Sequence, residues 1–448
     1  MQDTNASSWA SRSTFFFAMI GATLGLGSIW RTSGVAAEQG GGTFWIVYAL
    51  TLALIAVPLV LAEAVIGRTH KASVTAAIGD LAQRSQASPH WEILGLMCAI
   101  AAFGVGLGLL IISGWVLPYA IDLWNGKFAA ISLMQVGDYF AAVLNDSEQA
   151  LFGALTMLGL ACVLLAAGVR RGIGAVAWLV VPAVFALAVL SLHHSFLVGD
   201  MMAAGDWLFA AESSSFGPKS AVLAVIQALA TLCVGLGIAA TLSAYSSDRL
   251  PLGRVMIGVG LFDIAFAIMV GVIVYPLILA QDVLPSTGPS LLFVSLPHAF
   301  GNSIQGDTMG FLFFAMVLLV LLGTIVGCLQ VVIGVVGHRT GWGQGRSAAM
   351  VGVFGAVTLV VLSLVKLGDG DSDLWLALAL IDRLIVLVLV PIIVLGLSIL
   401  VGWRAHKYGL VRALDRETYT FIRIWIGLLR YLAPIAAVLV LVAGWWVY

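Results

Sequence analysis

The sequence predicts an all-helical integral membrane protein with eleven spans. Three observations carry this. First, of 448 residues 61% are hydrophobic and only 10% charged, with a mean hydropathy of +1.08. A soluble globular chain carries roughly a quarter charged residues, so a soluble enzyme is excluded. Second, eleven apolar segments reach the roughly 20 residues that a helix needs to cross the hydrocarbon. Third, two of those segments carry closely spaced glycines at matching positions five spans apart.

In chain order, a polar cytoplasmic N-terminus covers 1–12. Spans follow at 13–36, 43–67, 92–124, 150–169 and 174–197, together a first five-helix unit, 13–197. An outer loop at 198–217 leads to spans at 218–245, 253–281, 308–337, 347–366 and 374–402, a second five-helix unit, 218–402. A cytoplasmic loop at 403–419 precedes the eleventh helix, in 420–448. The first span is too long for a cleavable signal and has no small-residue cleavage site ahead of a soluble domain. The outer loops at about 125–149, 198–217 and 282–307 are lids rather than domains. Cys98, Cys162, Cys233 and Cys328 all lie in apolar runs, which suits neither a zinc site nor a disulfide framework. The net charge of −1 gives no footprint for nucleic acid.

Orientation follows from the positive-inside rule. With the N-terminus in the cytoplasm, 15 of the 21 Lys and Arg residues fall inside and only Lys127, Lys219 and Lys366 outside. The expectation is a multi-pass protein of the plasma (inner) membrane, with its C-terminus outside after an odd number of spans.

Span one contains Gly21-Ala-Thr-Leu-Gly-Leu-Gly27, and span six contains Thr231-Leu-Cys-Val-Gly-Leu-Gly237. Each glycine weakens a helix by up to about 1 kcal/mol against alanine, so both spans are expected to be unwound at mid-membrane. Unwound backbone in a bilayer is tolerated only where it lines a cavity. Paired interruptions in two halves point to a transporter's binding site. Carbonyls freed by a break suit a small cation, and amides at a half-helix N-terminus suit a carboxylate. Close packing by small residues is the alternative for either motif taken singly.

Several longer stretches resemble the neurotransmitter:sodium symporter family, in particular its short bacterial amino-acid transporters. They are Gly25-Leu-Gly-Ser-Ile-Trp-Arg31, Ala36-Ala-Glu-Gln-Gly-Gly-Gly-Thr-Phe44, Glu63-Ala-Val-Ile-Gly-Arg68, Arg171-Gly-Ile173, Gln227 to Gly237, and Gly288 to Pro297. The resemblance runs from Trp9 to the last span. It implies the bacterial leucine-transporter fold, two inverted five-helix repeats plus one extra helix. It also implies sodium-driven import of an amino-acid-like substrate by alternating access.

By position, the resemblance places a first sodium site at the Thr23 carbonyl, Ser28, Thr231 and Asp263. The family usually has Asn at the positions of Ser28 and Asp263. A carboxylate inside a span is costly and marks a functional site by default. Asp263 supplies negative charge that some members take from bound chloride, so chloride is not expected. A second site would use the carbonyls of Gly21, Leu24 and Val320 with the Thr324 hydroxyl. Its usual second polar side chain is Gly323 here, one oxygen short. The substrate would meet Thr23, Gly25, Leu26, Gly27, Val105, Leu109, Ala230, Thr231, Cys233, Leu236, Thr324 and Cys328. Leu109 stands where the family has a Tyr, and Ala230 and Leu236 where it has aromatics, so an apolar substrate is expected.

For the outer gate the resemblance selects Arg31, paired with an acid among Asp369, Asp371 and Asp373, with Asp371 preferred. Asp382 resembles the family's buried acid of span ten. The inner gate's ion pair is missing at Ala6 and His338, whereas Trp9 and Tyr245 are retained. Glu63 reads as a structural acid under the first broken helix. His193-His194 and Trp445-Trp446-Val-Tyr448 read as interfacial anchors.

No catalytic set appears, so the chain is not read as an enzyme. Proton coupling through Asp263, and a ligand sensor without turnover, are the competing readings. Substrate identity and oligomeric state are open.

Overall fold

The computed structural model describes residues 9, 11–210, 216–247, 250–364, 373–405 and 413–448. All regular elements among them are helical. Nine helices among the described residues are long and apolar enough to cross a bilayer, among them Gly42–His70, Pro89–Trp124, Leu252–Leu279, Gly306–Thr340 and Tyr419–Val447. A tenth span is the bent pair Arg12–Thr23 and Gly27–Glu38, turned by 59° across its break. The remaining predicted segment, 218–245, is divided into Pro218–Thr231 and Ile238–Ser243. The two departures from continuous helix therefore fall on the two glycine-interrupted spans.

The stretches read as lids contain short helices with their own start signals. Leu133–Asn145 begins in a capping box, with Ser132 and Gln135 exchanging bonds. Met201–Phe209 begins at Asp200, whose carboxylate accepts from the Ala203 amide at 2.9 Å.

Three spans and one outer-loop helix widen into a π turn ahead of a proline. The turns Leu52–Ala56, Leu291–Ser295, Ile385–Leu389 and Leu428–Leu432 are each followed two residues later by Pro58, Pro297, Pro391 or Pro434. Proline has no N–H, and its ring crowds the carbonyl four residues back. The wider i to i+5 turn makes room for the ring without ending the helix.

Glycines bring backbones together where helices cross. A Cβ built on Gly67 would lie 1.8 Å from the Ala240 carbonyl oxygen, so span two touches the Ile238–Ser243 backbone only because residue 67 has no side chain. Gly67→Ala is expected to force these helices apart at about 1–3 kcal/mol, the usual cost of overpacking. Thermal unfolding of the purified protein in detergent checks this as a lowered midpoint.

Candidate functional site

The first break follows from Leu24, which leaves the helix with φ −61° and ψ 91°; helix resumes at Gly27. The Thr23 hydroxyl bonds back to the Met19 carbonyl at 2.8 Å, so its side chain serves its own helix. The second break runs from Leu232 to Gly237. Gly235 and Gly237 have φ of 81° and 71°, which glycine adopts without penalty. Cys233, with φ 52°, adopts the same left-handed region despite its side chain.

Glu63 holds this second break. Its Oε1 accepts from the Gly235 amide at 2.7 Å. The sequence reading had put Glu63 under the first broken helix. The close approach of Gly67 to Ala240, one turn along the same span, brings the acid to the second break instead.

Spans one, two, six and seven meet at Asp263, which is 2% exposed. Tyr48 donates to Oδ2 at 2.8 Å, Ser28 donates to Oδ1 at 3.4 Å, and the Tyr48 hydroxyl lies 3.0 Å from Thr231 Oγ1. Three predicted residues, Ser28, Thr231 and Asp263, thus share one cluster. Tyr48 was missed, because an aromatic in an apolar span carries no sign of its partner. Its ring stacks on Phe44 with centroids 6.4 Å apart, which fixes where the hydroxyl points.

A second oxygen cluster joins spans one and eight. The Thr324 hydroxyl donates to the Leu24 carbonyl at 2.7 Å and lies 3.3 Å from the Val320 carbonyl. A Cβ on Gly323 would sit 2.3 Å from the Gly21 carbonyl oxygen, so all four residues expected at a second sodium site, Gly21, Leu24, Val320 and Thr324, converge here.

Between the breaks lies a cavity of about 160 Å³. Nine predicted substrate residues line it: Gly25, Leu26, Gly27, Val105, Leu109, Ala230, Cys233, Leu236 and Thr324. Thr23, Thr231 and Cys328 are buried beside it without lining it. One wall was not foreseen. Leu378, Ile381, Asp382 and Ile385 of span ten and Val440 of span eleven face the cavity. The span-ten residues follow the i, i+3, i+4, i+7 spacing of one helix face, the signal that could have found them.

At one end of the cavity, Arg31 Nη2 stands 3.6 Å from Asp382 Oδ2. The preferred partner Asp371 lies outside the described residues, as do Asp369 and the side chain of Asp373. At the opposite end of span one, Trp9 Nε1 donates to the Leu242 carbonyl at 2.9 Å and its amide to the Tyr245 carbonyl at 3.2 Å. The family's packing of Trp9 near Tyr245 is therefore present, while Ala6 lies outside the described residues.

The sequence profile of the sodium:neurotransmitter symporter family matches residues 6–132. An uncharacterized sodium-dependent transporter, YhdH, of Bacillus subtilis (strain 168) is 26% identical over 451 residues, covering 98% of each chain. Another uncharacterized sodium-dependent transporter, from Haemophilus influenzae, is 25% identical over 97% of each. The crystal structure of MhsT in complex with L-phenylalanine superposes with a TM-score of 0.86 at 28% identity, covering 98% of this chain and 99% of that one. The chain thus matches the sodium:neurotransmitter symporter family model over residues 6–132 and is similar to sodium-dependent transporters over nearly its full length. It is a multi-pass membrane protein and a sodium-dependent symporter, not an enzyme. The two oxygen clusters and the cavity between the breaks make up the candidate site among the described residues.

Proposed function

We propose that this symporter imports an apolar amino acid with sodium by alternating access. The observation that carries the reading is the cavity itself. It is walled by Leu26, Val105, Leu109, Ala230 and Ile381, and bounded by the two helix breaks. An apolar side chain would fill that space, and the free amides near Gly27 would receive a carboxylate. A related structure holding L-phenylalanine supports the same class of ligand.

Sodium would be held by Asp263, Ser28 and Thr231 with the Thr23 carbonyl. A carboxylate is a hard oxygen ligand suited to a small hard cation. With that charge built in, the protein is expected to work without chloride. The Gly21, Leu24, Val320 and Thr324 oxygens form a weaker second site, since Gly323 brings no side-chain oxygen. The N-terminus would lie in the cytoplasm of a plasma (inner) membrane, and binding of cation and substrate would bias an outward-to-inward rocking of one bundle of helices. The buried Asp263 also supports a second reading, in which this carboxylate carries a proton instead of ligating sodium.

A thermal-shift screen of purified protein against amino acids and small amines, each in sodium and in choline, tests the proposal. Large apolar amino acids are expected to raise the midpoint in sodium only. Stabilisation solely by charged or strongly polar compounds overturns the substrate class, and equal shifts in choline overturn the sodium coupling.

A further inference from the structure

We propose that Tyr448, at the end of span eleven, is a third member of the gate over the cavity and holds Arg31 and Asp382 together. This rests on the reading of the cavity as one that opens and closes.

The triangle is closed on all sides. Arg31 Nη1 donates to the Tyr448 hydroxyl, and that hydroxyl donates to Asp382 Oδ2. The arginine also lies over the tyrosine ring, with Cζ 4.9 Å from its centroid. The direct Arg31 to Asp382 contact is 3.6 Å, longer than the roughly 2.7–2.9 Å of a charge-assisted hydrogen bond. The loose ion pair is completed by the hydroxyl, which accepts from the cation and donates to the anion at once.

Span eleven is built to deliver it. Val440 faces the cavity, and Gly444 and Tyr448 follow at steps of four on the same helix face. A Cβ on Gly444 would lie 2.8 Å from Leu387 Cδ2 of span ten. The bare glycine lets span eleven close on span ten just below Asp382. Trp445 and Trp446, 55% and 82% exposed, turn the other way, as an interfacial anchor would require. Tyr448 does not share that role. It is a positioning residue: it sets how tightly Arg31 and Asp382 stay joined above the bound ligand.

Cys233, a free thiol in the cavity lining, reports the state of the gate. Right-side-out vesicles carrying the full chain are treated with the membrane-impermeant reagent trimethylammonium-ethyl methanethiosulfonate. Modification of Cys233 is then followed by mass spectrometry. Tyr448→Phe removes the hydroxyl and keeps the ring. Hydrogen bonds to charged groups are strong enough that labelling should run about tenfold faster than in the unaltered chain. Asp382→Asn should behave likewise, and the double variant no faster than either, since all three groups act as one unit.

Trp446→Ala should leave the rate unchanged. Tyr448→Leu, judged by the same rate, is the second variant should Tyr448→Phe fail to accumulate. A rate equal to that of the unaltered chain in these Tyr448 variants, or additive effects in the double variant, overturns the latch. A labelling rate of the unaltered chain that does not differ between sodium and choline counts against the gated cavity itself, whereas a variant ratio of one counts against Tyr448 alone.

Discussion

Asp263→Ala is expected to abolish sodium-dependent uptake. The carboxylate is buried, takes hydrogen bonds from Tyr48 and Ser28, and brings the cluster its formal negative charge. A unit charge about 4 Å from a cation contributes roughly 4 kcal/mol at the effective dielectric of a protein. Its loss corresponds to a fall in sodium affinity on the order of a thousandfold. Asp263→Asn keeps the shape and one oxygen ligand, so it should bind sodium weakly rather than not at all. Uptake by reconstituted protein across a series of sodium concentrations distinguishes the two variants. Uptake that runs without sodium on an imposed pH gradient, and is lost in Asp263→Asn, would transfer the carboxylate's role to protons.

Glu63→Ala is expected to cost stability and transport together. It strips the acceptor from the Gly235 amide, which is buried. An orphaned buried donor costs about 1–3 kcal/mol, and deletion of the buried side chain adds a cavity penalty. The segment it releases places Cys233, Val234 and Leu236 in the cavity wall, so ligand binding should weaken along with the fold. Glu63→Gln retains an acceptor for the same amide and should lose much less. Melting curves of the purified variants, with and without sodium, separate loss of fold from loss of binding.

Much of the architecture was legible because the bilayer imposes few solutions. Long apolar runs have to be helices, and paired glycines in two of them have few explanations besides a break. Asp263 stood out for the same reason, since a charge inside a span is costly. Tyr48 was not legible, because its role depends on a hydroxyl reaching from span two to span seven. Asp382 was passed over as the partner of Arg31 because three acids earlier in the chain offered a nearer match to the family pattern. The meeting of spans one, ten and eleven is decided by Gly444 and Leu387 packing, which no local pattern announces. Glu63 was recognised as structural but assigned to the first break, because nothing local announces that Gly67 packs on Ala240 and carries this span to the second.

Arg31 and Tyr448 stand 417 residues apart in the chain. At a synthesis rate of about 5–20 residues per second, roughly 20–80 s separate their emergence from the ribosome. Through that interval Arg31 waits without its hydroxyl partner, however early the first helices enter the bilayer. A nascent chain cut short anywhere before residue 448 is born with this roof unfinished.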